Sequence, residues 1–310
     1  MSTRRPGTPT DLSNGNFRTA LFDAGLLLET GIDGLYGRSA TYEGIVAALD
    51  AMVARWAADL GAVTVHFPPV LARTTVDRTN YLQSFPDLLG SVHVFRGDDR
   101  RHAELLRRVE ADADWQALLE PAEVVLASAA CHPIYPLCSG RLPEGGRLFE
   151  IGGWCFRHEP SLDPARQQAF HMHEVIHVGT PEDAERHRDR GLERGVAMLG
   201  DLGLEMSAVP ANDPFFGRLG TLMAAGQLDE ALKLEGVTPI CSTEEPTAVM
   251  SANCHRDHFG LSFSIQTADG SVAHSACVAF GVDRITLALL HTHGLDPGHW
   301  PAEVRARLWP

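Results

Sequence analysis

The 310-residue sequence is short of lysine and of long apolar runs. Lys233 is the single lysine among 26 basic residues, which stand against 40 acidic ones and give a net charge of −14. Nucleic acids are bound through clustered Lys and Arg, so this charge argues against a broad nucleic-acid surface. No apolar run approaches the roughly 18 residues of a membrane span, and the polar N-terminus has no signal-peptide core. We therefore expect a cytoplasmic protein with no membrane partner.

The sequence also lacks several common site motifs. Its six cysteines are scattered and form no CxxC pair, which excludes a zinc ribbon and a thioredoxin motif. Neither GxGxxG nor GxxxxGK(S/T) occurs, so the two commonest phosphate-binding loops are absent. Cysteines of a cytosolic protein are mostly buried thiols, and a minority bind metals.

Hydrophobic periodicity predicts both helices and strands. Helices are expected over residues 42–60, 100–119, 180–202 and 282–291, with two short ones within 214–235. Strands are expected over 63–67, 122–130, 148–151, 154–157, 170–178, 247–254, 259–267 and 271–280. Strands dominate the second half and follow one another through short turns, which predicts an α+β fold with a mainly antiparallel sheet. We expect a disordered lead-in over 1–16 and one domain over 17–310.

Residues 173–177 read His-Glu-Val-Ile-His, the HExxH signature of zinc proteases. In that motif a helix places both histidines on one face as metal ligands. Here three β-branched residues within 175–178 and the following Gly-Thr-Pro favour a strand. Side chains alternate along a strand, so the glutamate shares a face with Phe170 and both histidines lie on the other. A protease would require a helix at this place.

Two arginines are candidates for phosphate binding. Arg157 and Glu159 end a predicted strand two residues apart and point the same way. A guanidinium beside a carboxylate suits a nucleotide, with the arginine on the α-phosphate and the glutamate on an amino group. Arg284 follows a strand and lies near the start of a helix, where anions bind well. The structural alternatives are a surface ion pair and an exposed arginine on a capped helix.

Together, the FRHE strand, its loop, the next strand and the distant GVDR helix start resemble motifs 2 and 3 of class II aminoacyl-tRNA synthetases. Residues 233–235, 239, 251–254 and 257–259 resemble the corresponding run of seryl-tRNA synthetases. The resemblance covers roughly residues 60–305 and leaves too little chain before it for the tRNA-binding domain of those enzymes. The chain is most similar to the truncated, synthetase-like amino acid:[carrier protein] ligases.

This resemblance implies a set of site residues. Cys131, Glu174 and Cys277 resemble the zinc ligands of methanogen-type seryl enzymes, and three protein ligands leave one position open for a substrate amino group. Without the resemblance, both cysteines would be read as buried structural thiols. Arg157 and Arg284 are the implied catalytic residues, which hold the phosphates of ATP with Mg²⁺. The other implied ATP contacts are Glu159, Arg166, Gln167, Phe170, Lys233, Ala248 and Ser251, and the implied amino-acid contacts are Glu174 and Asn253.

One position departs from the seryl pattern. Seryl enzymes carry a glutamate seven residues before the cysteine of their SNC run, where it helps with metal and phosphate. Thr247 stands there in this sequence, so no magnesium ligand is assigned.

The implied reaction activates a small amino acid, glycine or alanine, as its adenylate and passes it to the phosphopantetheine thiol of an acyl carrier protein. Ala252 and Ala276 would suit a pocket for such a substrate. The carrier is expected at a helical insertion over about 212–235, with Arg218 as a phosphate contact. The class II resemblance also implies a homodimer, and no tRNA partner is expected.

Three rival functions remain open at this stage. A zinc protease requires a helical HEVIH segment and a third ligand, which the sequence does not reveal. A free-standing synthetase paralogue that charges tRNA requires a basic appendage, which is missing. A non-catalytic regulator of the synthetase type would be expected to lose its phosphate-binding arginines, whereas Arg157 and Arg284 are present.

Overall fold

The structure is a computed structural model that describes residues 14–213, 216, 227, 232–242 and 244–310. Its strands are β1 (Leu27–Glu29), β2 (Tyr36–Arg38), β3 (Val63–Thr64), β4 (Val70–Ala72), β5 (Ser91–Phe95), β6 (Leu119–Leu126), β7 (Gly140–Arg141), β8 (Arg147–Phe156), β9 (Ala169–Gly179), β10 (Ser207–Pro210), β11 (Lys233–Thr238), β12 (Thr247–Arg256), β13 (Ile265–Gln266) and β14 (His274–Gly281). Its described helices are α1 (Asn14–Asp23), α2 (Ala40–Asp59), α3 (Arg73–Arg78), α4 (Tyr81–Ser84), α5 (Asp99–Glu110), α6 (Ile134–Leu137), α7 (Pro181–Gly200), α8 (His258–Phe263), α9 (Val282–His293) and α10 (Ala302–Leu308).

A seven-stranded sheet organises the molecule, in the order β10-β11-β12-β14-β9-β8-β3. All neighbours pair antiparallel except β3, which runs parallel to β8 at one edge. The predicted α+β class with a mainly antiparallel sheet is confirmed. None of the described helices is both long and apolar enough to cross a membrane.

The sheet separates two apolar layers. On one face, α2, α7 and α9 pack against alternate residues of the strands, among them Val175, Val278 and Phe280. The other face carries Ile176 and a second cluster, built with α6 and α8. Period-two alternation along β9 and β14 therefore decides which side chains enter each layer.

Several predicted boundaries are wrong, for local reasons. The helix expected over 100–119 ends at Glu110, since Asp112 adopts a left-handed φ of 51°. Residues 259–263, within the strand expected over 259–267, belong instead to α8, because Phe259 and Phe263 share one helix face and pack against Tyr135. Tertiary contact overrides the strand preference of that segment.

The predicted lead-in and the predicted helical insertion are only partly described. A disordered lead-in is expected over 1–16, but residues 14–16 belong to α1, which begins at Asn14. Residues 1–13 lie outside the described residues. The helical insertion expected over 212–235 is wrong at its end, because Lys233 begins β11. Most of the rest of that insertion, including Arg218, lies outside the described residues.

Candidate active site

One face of the central sheet carries most of the predicted site. Pairing sets Asn253 opposite Cys277, Lys233 opposite Asn253, and Glu174 opposite Ala279. Side chains in such register point to the same face of the sheet. A cavity of about 640 Å³ opens above them. Its lining includes twelve of the predicted site residues, namely Cys131, Arg157, Glu159, Gln167, Phe170, Glu174, Lys233, Ala248, Ser251, Asn253, Cys277 and Arg284.

Two predicted residues stand apart from this lining. Arg166 lies at the rim, with its Nη1 3.6 Å from Oε1 of Glu159. Arg218 lies outside the described residues, so its predicted contact with the carrier stays a prediction.

At the floor of the cavity, Cys131, Glu174 and Cys277 form a trio of buried acidic groups. One ligand atom from each lies within 4.8 Å of the others, the only such group of three among the described residues. Cys131 comes from the loop after β6, whereas the other two come from neighbouring strands. Oε1 of Glu174 accepts from the backbone nitrogens of Ala130 and Cys131 at 2.9 and 3.3 Å, which ties the loop to the strand.

The trio is electrostatically unsatisfied. Burial, and then the charge of Cys277, raise the pKa of Glu174 to about 7. The adjacent Cys277 and burial also raise the pKa of the Cys131 thiol. Two thiols and a carboxylate crowded in an apolar layer repel one another when ionised. A divalent cation would relieve that repulsion, and thiolates and carboxylates are suitable donors for zinc.

Cys277 has a polar supporting shell. Nδ2 of Asn253 donates to its Sγ at 3.4 Å, and Nε2 of His255 lies 3.7 Å from the same sulfur. The hydrogen bond with Cys131, despite burial, lowers the pKa of Cys277, and His255 adds to this effect. His255 is itself positioned by Ser275 Oγ at 3.1 Å and Tyr135 OH at 3.4 Å from Nδ1. This shell favours the thiolate at Cys277.

Above the trio, two arginines are held by backbone carbonyls. Nε of Arg157 donates to Ser128 O at 3.1 Å, and its guanidinium carbon lies 5.4 Å from the Phe170 ring centre. Arg284 donates to Ala165 O at 2.8 Å and to Ala248 O at 3.0 Å. Burial first, and then the positive charges of Arg157 and Arg166, lower the pKa of Arg284. These converging cations form a site for an anion.

The cavity wall on β11 is a compact ion network. Nζ of Lys233 lies 2.7 Å from Oδ1 of Asp213 and 3.0 Å from Oε1 of Glu235. Gln227 Nε2 donates to the other Asp213 oxygen at 2.9 Å. Although burial opposes it, Asp213 and Glu235 raise the pKa of Lys233. Lys233 therefore stays charged and faces the cavity.

The HEVIH histidines lie on the opposite face of β9. Nδ1 of His173 is 2.9 Å from Asp50 Oδ1, and its Nε2 is 2.7 Å from Glu150 Oε1. Nε2 of His177 is 3.2 Å from Gly145 O. Four residues of strand separate the two histidines by about 13 Å, too far for both to bind one ion. The segment is a strand, as predicted, and the protease reading is excluded.

Sequence reasoning missed several cavity residues. Glu235 follows Lys233 by two residues on a strand, so period-two alternation could have found it. His255 follows Asn253 by two residues on β12, so the same alternation could have found it. Asp213 and Tyr81 reach the cavity through tertiary contacts for which the sequence carries no local signal. The prediction that Ala252 and Ala276 line the substrate pocket is wrong, because both are fully buried on the far face of the sheet. Ala279 lines the cavity instead.

The antiparallel sheet, the helix that starts at the GVDR segment and the cavity between them define a class II aminoacyl-tRNA synthetase-like core. A solved M. kandleri seryl-tRNA synthetase, in complex with A. aeolicus tRNASec, superposes with a TM-score of 0.81 at 24% identity, over 97% of this chain and 62% of that one. Pyrococcus horikoshii seryl-tRNA synthetase complexed with ATP gives 0.63 at 15% identity, over 89% of this chain and 58% of that one. No protein-family model matches the chain.

Proteins related in sequence identify the family to which this chain belongs within that structural class. Amino acid–[acyl-carrier-protein] ligase 1 of Bradyrhizobium diazoefficiens is 45% identical over 277 residues, which cover 89% of this chain and 85% of that protein. Ligase 2 of the same organism is 42% identical over 306 residues, 98% of this chain and 89% of that protein. The type-2 serine–tRNA ligase of Methanopyrus kandleri is 26% identical over 282 residues, 84% of this chain and 53% of that protein. The chain belongs to the amino acid–[acyl-carrier-protein] ligase family.

Proposed function

We propose that this chain activates a small amino acid with ATP and transfers it to the phosphopantetheine thiol of an acyl carrier protein. The observation that carries the proposal is the cavity itself. It joins converging arginines, suited to phosphates, to a buried thiol–carboxylate trio, suited to a metal that binds an amino group. The names of the two B. diazoefficiens relatives supply the acceptor.

ATP would lie between the two arginines. Arg157 and Arg284 would hold the phosphates with Mg²⁺. Phe170 would stack on the adenine, and Glu159 would accept a hydrogen bond from the adenine amino group. Arg166 at the rim, and Gln167, Lys233, Ala248 and Ser251 on the walls, would complete the ATP contacts. The P. horikoshii neighbour was solved with ATP, which agrees with a nucleotide site in this fold. Catalysis in such a site is positioning and charge neutralisation.

Zn²⁺ would be held by Cys131, Glu174 and Cys277. The fit rests on the donor set of the trio, because two thiols and a carboxylate, all buried, bring one ligand atom each within 4.8 Å of the others. Zinc would supply a Lewis acid that binds the unprotonated amino group of the substrate. Asn253, which already donates to Cys277, would orient the amino acid beside it.

The chemistry then has two balanced steps. A carboxylate oxygen of the amino acid bonds to the α-phosphorus of ATP, the bond to the β-phosphate oxygen breaks, and pyrophosphate leaves. In the second step the carrier sulfur bonds to the acyl carbon, the bond between that carbon and the phosphate oxygen breaks, and AMP leaves with the electron pair. The thiol proton passes to solvent, and the product is a thioester.

The site favours a small substrate. Ala279 faces the cavity directly opposite Glu174 on the neighbouring strand. A larger side chain on the substrate would meet this strand, so we propose glycine or alanine. Specificity from size alone is modest, about 10- to 200-fold for each methylene group.

The acyl carrier protein would dock at the segment around 212–235, with Arg218 on its phosphate. Phe216, within this segment, contacts α4, because its backbone nitrogen donates to Ser84 O at 2.8 Å. With a net charge of −14, the chain would need a local basic or apolar surface to bind an acidic carrier.

We also propose a homodimer through the β3 edge of the sheet. Val63 is 57% exposed and Phe67 is 37% exposed there, and Pro68 and Pro69 follow. An edge strand with exposed apolar side chains is a pairing surface. Sedimentation of the wild type and of Val63→Glu tests this, and a wild type that sediments as a monomer would refute it.

ATP–pyrophosphate exchange with each of the twenty amino acids tests the activity. We expect exchange with glycine or alanine, lost in Cys131→Ala, followed by labelling of a holo-carrier and not of tRNA. Cys138→Ala is the matched control, because Cys138 is equally buried and lies away from the cavity lining. Absence of exchange with every amino acid would refute the proposal.

A further inference from the structure

The hairpin of β1 and β2, residues 27–38, lies against the loop that carries most of the proposed ATP contacts. That loop connects β8 to β9 over residues 157–168 and holds four of them, namely Arg157, Glu159, Arg166 and Gln167. Arg284, at the start of α9, donates to Ala165 O of the same loop at 2.8 Å. The hairpin itself carries no residue predicted from the sequence to contact a substrate.

The turn of the hairpin is bonded to the β8–β9 loop through its backbone. Gly34 O accepts from Gln168 N at 2.8 Å, and Asp33 O accepts from Gln168 Nε2 at 2.7 Å. Gly34 has a left-handed φ of +76°, and a Cβ there would lie 3.3 Å from Arg166 O and from Gln168 Cγ. Glycine is therefore what allows the turn to approach the loop this closely.

Arg38, at the end of the hairpin, joins the β8–β9 loop to the start of α9. Its side chain is 4% exposed, and its Nη2 lies 2.5 Å from Asp283 Oδ1 and 3.3 Å from Gln167 Oε1. Its Nη1 lies 3.3 Å from Glu43 Oε1, and its guanidinium carbon lies 4.1 Å from the Trp154 ring centre. Because a guanidinium is planar with fixed donor directions, it sets where both partners lie. Arg38 lies outside the cavity lining, so its effect on a ligand must pass through those partners.

Asp283 links Arg38 to Arg284, which directly follows it in the sequence. Asp283 is 2% exposed. The Tyr42 hydroxyl donates to its Oδ1 at 2.9 Å, and His171 N donates to its Oδ2 at 2.6 Å. Both carboxylate oxygens are thus bonded in a buried place, where breaking a hydrogen bond is costly. This fixed side chain holds the helix start from which Arg284 reaches the cavity.

We infer that the β1–β2 hairpin positions the ATP-binding side chains, with Arg38 as the positioning residue that fixes Gln167 and Arg284 relative to each other. This inference rests on the proposed function, because it takes the cavity beside those two residues as the ATP site. Arg38 acts through its partners and contacts no substrate.

Binding of ATP with Mg²⁺ to the full chain, measured by isothermal titration calorimetry, tests the role of Arg38. Arg38→Gln removes the planar cation, and the misplacement of one charge-assisted contact should raise the Kd for ATP about tenfold. Arg38→Lys keeps the charge and should restore part of that loss. In ATP–pyrophosphate exchange the KM for ATP should rise in parallel. The KM for the amino acid should stay within about twofold of wild type, because the hydrogen bonds of Glu174 and Cys277 come from other residues.

Two glycines of the hairpin give a second test that leaves the buried ion pair intact. Gly34→Ala would press on the backbone of Arg166 and on Gln168, so we expect the Kd for ATP to rise several-fold. Gly31→Ala is the matched control, because Gly31 lies between the same two strands with a left-handed φ of +84°, and a Cβ there meets nothing within 4 Å. It should bind ATP as the wild type does.

Several results would overturn this inference alone. If Arg38→Gln lost unfolding free energy in urea but bound ATP with wild-type affinity, Arg38 would be purely structural. If the KM values for ATP and for the amino acid rose equally, the hairpin would support the whole cavity and not the ATP site. If Arg38→Gln did not fold, equal ATP affinity in Gly34→Ala and Gly31→Ala would refute the inference.

The proposed function fails in a different way. If the wild type binds ATP but shows no exchange with any amino acid, the proposed function is refuted, whereas the change in the Kd for ATP still supports or refutes the role of Arg38. If the wild type binds no ATP, both are refuted.

Discussion

The HEVIH motif places ionisable side chains on both faces of β9. The electrostatic surroundings of these side chains differ between the two faces. On the far face, His173 lies between Asp50 and Glu150, and every charge has a partner. On the cavity face, Glu174 lies with two thiols, and burial and then the charge of Cys277 raise its pKa to about 7. Satisfied buried charge indicates a structural role, and unsatisfied buried charge at a cavity indicates a ligand.

The largest expected effect falls on the cavity face. Glu174→Gln would remove a negative ligand from the trio while it keeps the shape of the side chain. We expect ATP–pyrophosphate exchange to fall about a thousandfold, since such a loss matches the several kcal/mol a bound metal supplies. Kinetics at saturating ATP measure it, and an activity within tenfold of wild type would show that the reaction does not depend on Glu174.

The phosphate side should show the next largest effect. Arg284→Lys would keep the charge but lose the planar donors, two of which already bond backbone carbonyls. We expect kcat for exchange to fall about a hundredfold with a smaller change in the KM for the amino acid. Arg305→Lys, at an exposed position of α10, is the control and should match the wild type.

On the far face, His173→Gln should act on stability. It leaves the Glu150 carboxylate without its charged partner and leaves Asp50 with His171 alone, 3.3 Å away. Breaking such a buried pair costs about 3 kcal/mol. We expect urea unfolding at pH 6 to show this loss, while exchange per folded molecule stays within a few-fold of wild type. If the variant kept full stability but lost exchange, the far face would serve activity and not stability, which would contradict this assignment.

The loss of unfolding free energy in His173→Gln should depend on pH. Asp50 and Glu150 raise the pKa of His173 against the effect of burial, so its contribution is complete below about pH 6.5 and is lost as pH rises through its folded value. His173 in turn lowers the pKa of Glu150, whose contribution is lost as pH falls below about 4.5. The difference in unfolding free energy between wild type and His173→Gln should peak between these limits and shrink by pH 9. A difference that is constant from pH 5 to 9 would contradict the ion pairing.

The smallest effect is expected at His177. It makes one hydrogen bond to a backbone carbonyl, and burial lowers its pKa, so it stays neutral at pH 7. His177→Gln should change stability by less than about 1 kcal/mol and activity by less than twofold. Chemical unfolding and exchange assays check both, and a large loss of metal or activity would restore a protease-like role.

Much of the fold followed from periodicity, whereas most site residues were implied by the family resemblance. Alternation along 170–178 placed Glu174 and the histidines on the correct faces, and the long strands and helices were found. Local sequence could not reveal α8, because packing of Phe259 against Tyr135 decided it. Nor could it place Tyr81, His132 or Asp213, since loops and tertiary contacts bring them to the cavity. The metal trio spans three distant segments, and only the family resemblance brought it together before the structure.

The most direct test of this account is the zinc content of purified protein, measured by mass spectrometry alongside protein concentration. We predict about one zinc per chain in the wild type and in the double variant His173→Gln with His177→Gln, and loss of zinc in Glu174→Gln and in Cys131→Ala. The assignment of the metal to the cavity face would be contradicted if both cavity-face variants kept their zinc. It would also be contradicted if the double histidine variant lost its zinc.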